Sequence, residues 1–134
     1  PNIHPKNEYK KRLDEQKKVC ALFSVEVVEC DYDVNTFFEK TKGLENAIEG
    51  GERCTVCFEL RLLHTIEKAV NLGSFDYVAT TLTVSPHKNA PLINEIGERL
   101  VTDKNIKWLP SDFKKKNGYQ TFGSRTFFLI KIRL

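Results

Sequence analysis

The stretch Gly50-Gly51-Glu52-Arg53-Cys54-Thr55-Val56-Cys57-Phe58-Glu59-Leu60-Arg61 constrains this chain more than any other. Glycine takes backbone angles that other residues resist, so Gly50-Gly51 marks a turn. After it, Val56, Leu60, Leu63, Ile66 and Val70 recur at helical spacing, with Glu59, Glu67, Lys68 and Asn71 on the other side. That pattern predicts an amphipathic helix over about 54–72, stopped by Gly73. Both thiols then fall in its first turn, where unpaired N–H groups and the helix dipole favour the thiolate. Two thiolates at a helix mouth make half of a soft-metal or redox site, because a zinc or iron–sulfur centre takes four ligands. From the residues alone, an iron–sulfur pair, a zinc pair, a dithiol/disulfide couple and a purely structural pair all remain open.

The rest of the chain supplies a frame for that pair. Residues 6–23 mix charges with Tyr9, Leu13, Val19 and Leu22 and predict a solvent-facing helix. The β-branched run 24–30 predicts a strand. Asp33 is placed to cap a short helix over 34–42 that buries Phe37 or Phe38, with Gly43 ending it. Residues 75–80 predict a strand, 81–89 a loop, 90–103 a helix marked by Leu92, Ile93, Ile96 and Leu100, and 106–109 a short strand halted by Pro110. Alternating strands and helices indicate an α/β fold with a parallel sheet. Ligands of such sheets bind beyond the carboxyl ends of the strands. The polar stretches 85–89 and 111–119 should share that edge, and the Cys54 and Cys57 sulfurs should point toward residues 85–89.

Composition bounds the function. At 134 residues the chain is one domain at most, and a net charge of +3, from 21 Lys+Arg against 18 Asp+Glu, is too small to imply nucleic acid by itself. No apolar run approaches the roughly 20 residues needed to span a bilayer, and no secretory signal is visible. Four cysteines are sparse for a secreted disulfide scaffold, which favours a reducing cytoplasm. Cys20 and Cys30 read as buried thiols acting as small hydrophobes, Trp108 as core, and His64 as a boundary residue.

Several stretches together resemble one family. They are Pro1-Asn2-Ile3-His4-Pro5 with Glu8-Tyr9, Lys42-Gly43-Leu44-Glu45, the Gly50–Arg61 stretch, Thr80-Thr81-Leu82, Ser85-Pro86-His87-Lys88-Asn89, Ile93-Asn94-Glu95-Ile96-Gly97, and Asp112-Phe113-Lys114-Lys115-Lys116-Asn117-Gly118-Tyr119. In this order and spacing they resemble the QueH family, the cobalamin-independent epoxyqueuosine reductases, over residues 1 to about 120. The resemblance implies a Rossmann-like α/β domain with flanking helices. It implies an enzyme of queuosine synthesis that reduces epoxyqueuosine at the tRNA wobble position, an oxidoreductase carrying a [4Fe-4S] cluster and fed by an electron donor. Cys54 and Cys57 match two of the family's cluster ligands. An adjacent cysteine pair expected upstream and a Cys-x-Cys expected downstream have no match here, and residues 121–134 match nothing in the family's pattern. The expectation is a truncated form: a partial domain over 1–120, a tail over 121–134, and a sheet incomplete on its N-terminal side with an open strand edge and exposed apolar surface.

On this reading His87 and Lys88 are the catalytic candidates, the first as a proton donor to a departing epoxide oxygen, the second as a cation for phosphate. Asn89 and Asp112 are candidates for substrate contact. Lys114, Lys115 and Lys116, with Phe113 and Tyr119, are candidates for the RNA backbone and for base stacking. Against each stands an ordinary role: a loop stabilised by Ser85-Pro86, a solvated lysine run. The alternatives to a reductase are a non-catalytic module that binds tRNA or a nucleotide, and a small zinc-bound structural domain.

Overall fold

Apolar periodicity carries through to structure most faithfully in the middle of the chain. A computed structural model describes residues 2–113. It runs α1 (Lys6–Leu22), α2 (Asn35–Lys40), α3 (Glu52–Leu72), β1 (Tyr77–Val78), a 3-10 turn (Leu82–Val84), α4 (Ala90–Val101) and β2 (Lys107–Trp108). β1 and β2 pair in parallel, Tyr77 opposite Lys107 and Val78 opposite Trp108, with α4 as the crossover. Helices flanking a parallel pair of strands give the α/β class read from the sequence. No described helix is long and apolar enough to cross a membrane.

The core lies between α3, α4 and the sheet. α3 contributes Phe58, Leu62, Ile66 and Ala69, β1 Val78, α4 Ile93 and Ile96, and β2 with its lead-in Ile106 and Trp108. Burying these side chains is what holds a two-strand sheet together, since a strand pair alone is marginal in water. The α3 stripe differs from the expected one: Val70 is 40% exposed, and the buried face is rotated toward Phe58 and Ala69. Both stripes have helical spacing, and α4 and the sheet lie over the second. α4 starts at Asn89, whose side chain accepts the Leu92 N–H at 3.1 Å. Further along, a Cβ on Gly97 would stand 2.3 Å from the Trp108 indole, so only glycine lets β2's tryptophan lie against the helix backbone. The indole N–H donates to Asn94 Oδ1 at 3.1 Å.

Toward the N-terminus the outcome departs from expectation. Residues 24–30 form no strand. Ser24 has φ 54°, and the Val25 N–H donates to the Cys20 carbonyl at 2.8 Å, so the chain turns back on α1 before running on outside the sheet. β-branched residues make a strand only where a neighbouring edge receives them. Across an apolar cleft of about 110 Å³ this segment faces the β1 side of the sheet, with Val27 and Val28 on one wall and Phe75, Tyr77 and Val78 on the other. Cys20 is buried, but Cys30 is exposed, against the expectation of a buried thiol. The N-cap of α2 is Val34, one residue after the expected Asp33, because the helix starts only at Asn35; Asp33 still accepts the Thr36 N–H at 3.1 Å, and Phe37 is the buried aromatic. The expected boundary at residue 120, the tail 121–134, Lys114, Lys115, Lys116 and Tyr119 lie outside the described residues.

Candidate functional site

The turn before α3 positions the thiols. Gly50 has φ +83°, a left-handed conformation that favours glycine, and the Gly51 N–H closes the turn on the Ile48 carbonyl at 3.0 Å. Gly51 is the N-cap, and α3 begins at Glu52, two residues before the expected start. An acidic residue in the first turn suits the dipole there. Cys54 therefore sits in the first turn and Cys57 opens the second. The Gly50 N–H donates to Cys54 Sγ at 3.3 Å, so loop backbone contacts the sulfur directly.

Residues three apart on a helix are neighbours, with Cβ atoms about 5–6 Å apart, and both thiols are half-buried. Burial raises the Cys57 thiol above its ordinary value and Cys54 adds to the rise, so the positive charges of Arg61 and Lys88 offset only part of it, against the thiolate expected at a helix start. Arg61, one turn further along α3, hydrogen-bonds to the Cys57 side chain. Lys88 reaches in from the loop before α4, its Nζ 5.6 Å from the centroid of the buried Phe58 ring. Two sulfurs and two cations thus gather at the start of α3. The guanidinium and the ammonium bring positive charge to the side of the two sulfurs. Among the described residues no group of three or more His, Cys, Asp or Glu side chains could hold a metal ion, so these elements by themselves form no four-ligand set.

The other sequence candidates fall in different places. His87, next to Lys88, is exposed. The Asn89 side chain is committed to capping α4. Asp112 is half-buried directly after Ser111, the residue at which the loops following the two strands meet. Ser111 Oγ donates to the Thr80 carbonyl at 3.0 Å and lies 3.1 Å from Thr83 Oγ1. Asn94 of α4 locks the same point, accepting the Ser111 N–H at 3.1 Å and donating to the Ser111 carbonyl at 3.0 Å. Sequence reasoning assigned no role to Arg61. Its spacing of four from Cys57 places it on the same helix face and was the available signal.

The family model described as "Epoxyqueuosine reductase QueH" matches residues 1–126, past residue 120, where the resemblance read from the motifs ends. Three curated relatives carry that same name. The Streptococcus pyogenes serotype M1 protein is 46% identical over 125 residues, covering 89% of this chain and 49% of that protein. The Staphylococcus epidermidis protein is 44% identical, covering 90% of this chain and 53% of its own length. The Thermotoga maritima protein is 32% identical, covering 90% and 64%. The chain spans about half the length of the first two.

Proposed function

The chain belongs to the QueH family of epoxyqueuosine reductases, and on that premise we propose that it carries part of an iron–sulfur reductase site that converts epoxyqueuosine to queuosine in tRNA. Removing an epoxide oxygen to leave an alkene consumes two electrons and two protons and releases water. No ordinary side chain supplies the electrons, so a redox group is required. A [4Fe-4S] cluster, when bound, would supply them one at a time from a thiolate-ligated cage. Cys54 and Cys57 would hold two of its corners, as ligands and not as nucleophiles, with the other ligands coming from outside the described residues. The electrons would come from a separate donor.

The observation that carries this reading is the pairing of the two thiols with Arg61 and Lys88 at the start of α3. An anionic metal–thiolate centre next to departing oxygen needs compensating charge, and these two cations provide it. His87, exposed beside Lys88, would deliver a proton to that oxygen. Asn89 contributes by fixing the loop through its cap on α4, and Asp112 by its place after the Ser111 junction. Lys114, Lys115 and Lys116, with Tyr119, would engage the anticodon-loop backbone and a base. The setting for a tRNA substrate and a reduced cluster is the cytoplasm.

Anaerobic reconstitution with ferrous iron, sulfide and an excess of a small thiol, to fill the open positions, tests the reading. The expected product is brown, with iron and sulfide in near-equal amounts. Cys54→Ser and Cys57→Ser should each remove most of the iron, while Cys20→Ser and Cys30→Ser should leave it. Equal iron uptake by the Cys54→Ser/Cys57→Ser double variant would end this assignment.

A further inference from the structure

Just before α1 begins, two aromatic side chains meet at the surface. Phe38 of α2 is 46% exposed, and the exposed His4 meets its ring edge to face, with centroids 5.4 Å apart and planes at 81°. The buried Phe37 ring backs Phe38 at 5.8 Å, and the Arg53 guanidinium lies 5.8 Å from the Phe37 centroid. His4 is held from both sides. Ile3 lines a cleft together with Arg61, and the Pro5 carbonyl accepts the Glu8 N–H at 3.0 Å where α1 starts. Both supports lead back to the thiols. Arg53 directly precedes Cys54, and Arg61 hydrogen-bonds to Cys57.

We propose that His4 and Phe38 form a stacking platform for an unpaired nucleobase of an RNA substrate, with Lys40, Lys42 and Arg53 beside it for the sugar–phosphate backbone. A single exposed phenylalanine needs no explanation. An edge-to-face pair is different, because the contact covers one ring face and leaves the others for a further planar group. The cations are available as well. Among the described residues Lys40, Lys42 and Arg53 form no ion pair. Of the nearby acids, Glu45 accepts the Gly43 N–H at 3.0 Å, and Glu39 is the acid within α2. Aromatic faces flanked by free cations are the two elements of single-strand recognition, stacking for the base and charge for the phosphates. A protein-docking patch would be broader and more apolar, whereas the exposed residues beside Phe38 on α2 are Asn35, Glu39 and Lys40. Which RNA is bound rests on the proposed function: with the anticodon loop as substrate, the stacked base belongs to the same loop as the reacting one. The preference for an unpaired base does not depend on the cluster.

The test titrates the full chain, 13C-labelled in its aromatic rings, with a short anticodon stem–loop RNA and with a fully paired duplex of equal length. The His4 and Phe38 ring signals should shift with the stem–loop and stay in place with the duplex. By fluorescence anisotropy, Phe38→Leu, which keeps an apolar side chain and loses the ring, should weaken the stem–loop about tenfold, the scale of one stacked base. Its salt dependence should be that of wild type, and Phe38→Trp should restore the affinity. The Lys40→Gln/Lys42→Gln double variant should instead flatten the salt dependence. Ring signals unmoved by saturating stem–loop, or a folded Phe38→Leu protein that binds it as tightly as wild type, overturns the proposal. A Phe38→Leu protein that keeps its RNA affinity and loses self-association assigns the pair to a protein contact, and overturns it equally. Iron uptake on the same samples separates the two readings. Iron bound with RNA affinity indifferent to Phe38 removes the platform and leaves the cluster, and loss of iron binding with the ring shifts intact does the reverse.

Discussion

The region from α3 to β2 and the region from α1 through residue 34 are built on different principles. In the first, Phe58, Ile66, Ile93 and Trp108 interlock in one core, and Arg99 of α4 is tied to Glu59 of α3 at 2.9 Å. In the second, the 17-residue α1 buries only Cys20, Leu22 and Phe23 are 82% and 74% exposed, and the contacts are surface ion pairs such as Arg12–Glu8 and Lys18–Glu15 with the Tyr9 ring against Tyr32. The division sets the two thiols on the more tightly packed part of the molecule.

The largest effects should come from the packed region. Ile93, fully buried, should cost about 3 kcal/mol as Ile93→Ala, read by urea denaturation, whereas Leu22→Ala on α1 should change stability by less than about 0.5 kcal/mol. Comparable losses at both positions would erase the distinction. Gly97→Ala comes next. Alanine gains roughly 1 kcal/mol in helix propensity, yet its methyl would fall within 2.3 Å of the Trp108 ring, and overpacking of this kind should leave a net loss of about 2 kcal/mol. A stabilised Gly97→Ala protein would show that β2 can shift away from α4 at little cost.

Asn94→Ala should cost about 1–3 kcal/mol, because the Trp108 indole and both backbone groups of Ser111 lose their partner together. It should also broaden the Thr80 and Thr83 amide signals, since Ser111 joins the two loops. On α1, Lys17→Ala removes the exposed ion pair with Glu29 and should leave the urea midpoint almost unchanged, with any difference vanishing in high salt.

How much could be read in advance follows the same division. α3, α4 and the sites of the two strands were legible because their apolar residues repeat on one face and because Gly51, Gly73 and Asn89 mark ends. The rotation of the α3 stripe was not, since Val56–Val70 and Phe58–Ala69 are equally periodic and only the position of α4 decides between them. Residues 24–30 misled because Val25, Val27 and Val28 state a preference that needs a partner edge to be realised. At the site, Cys54 and Cys57 announced themselves by spacing. Arg61 did not, because a cation in a helix reads as solvated until the fold buries it.

The smallest effect expected is at Asp33, on the seam between the regions. Its carboxylate accepts the Thr36 hydroxyl and N–H at the start of α2, and these bonds, with the charge of His64 on α3 adding to them, hold its pKa below the usual carboxylate range. A depressed carboxylate contributes stability above its unfolded pKa of about 3.9 and loses it as pH falls through the lower folded value. Asp33→Asn keeps an oxygen for the Thr36 N–H but carries no charge. Wild type should therefore be slightly more stable than Asp33→Asn at pH 6, with the difference in thermal midpoint shrinking between pH 4 and 2. A difference that stays constant across that window would place the contribution in cap geometry alone. It would also show that the charge of His64 adds nothing at the seam between α2 and α3.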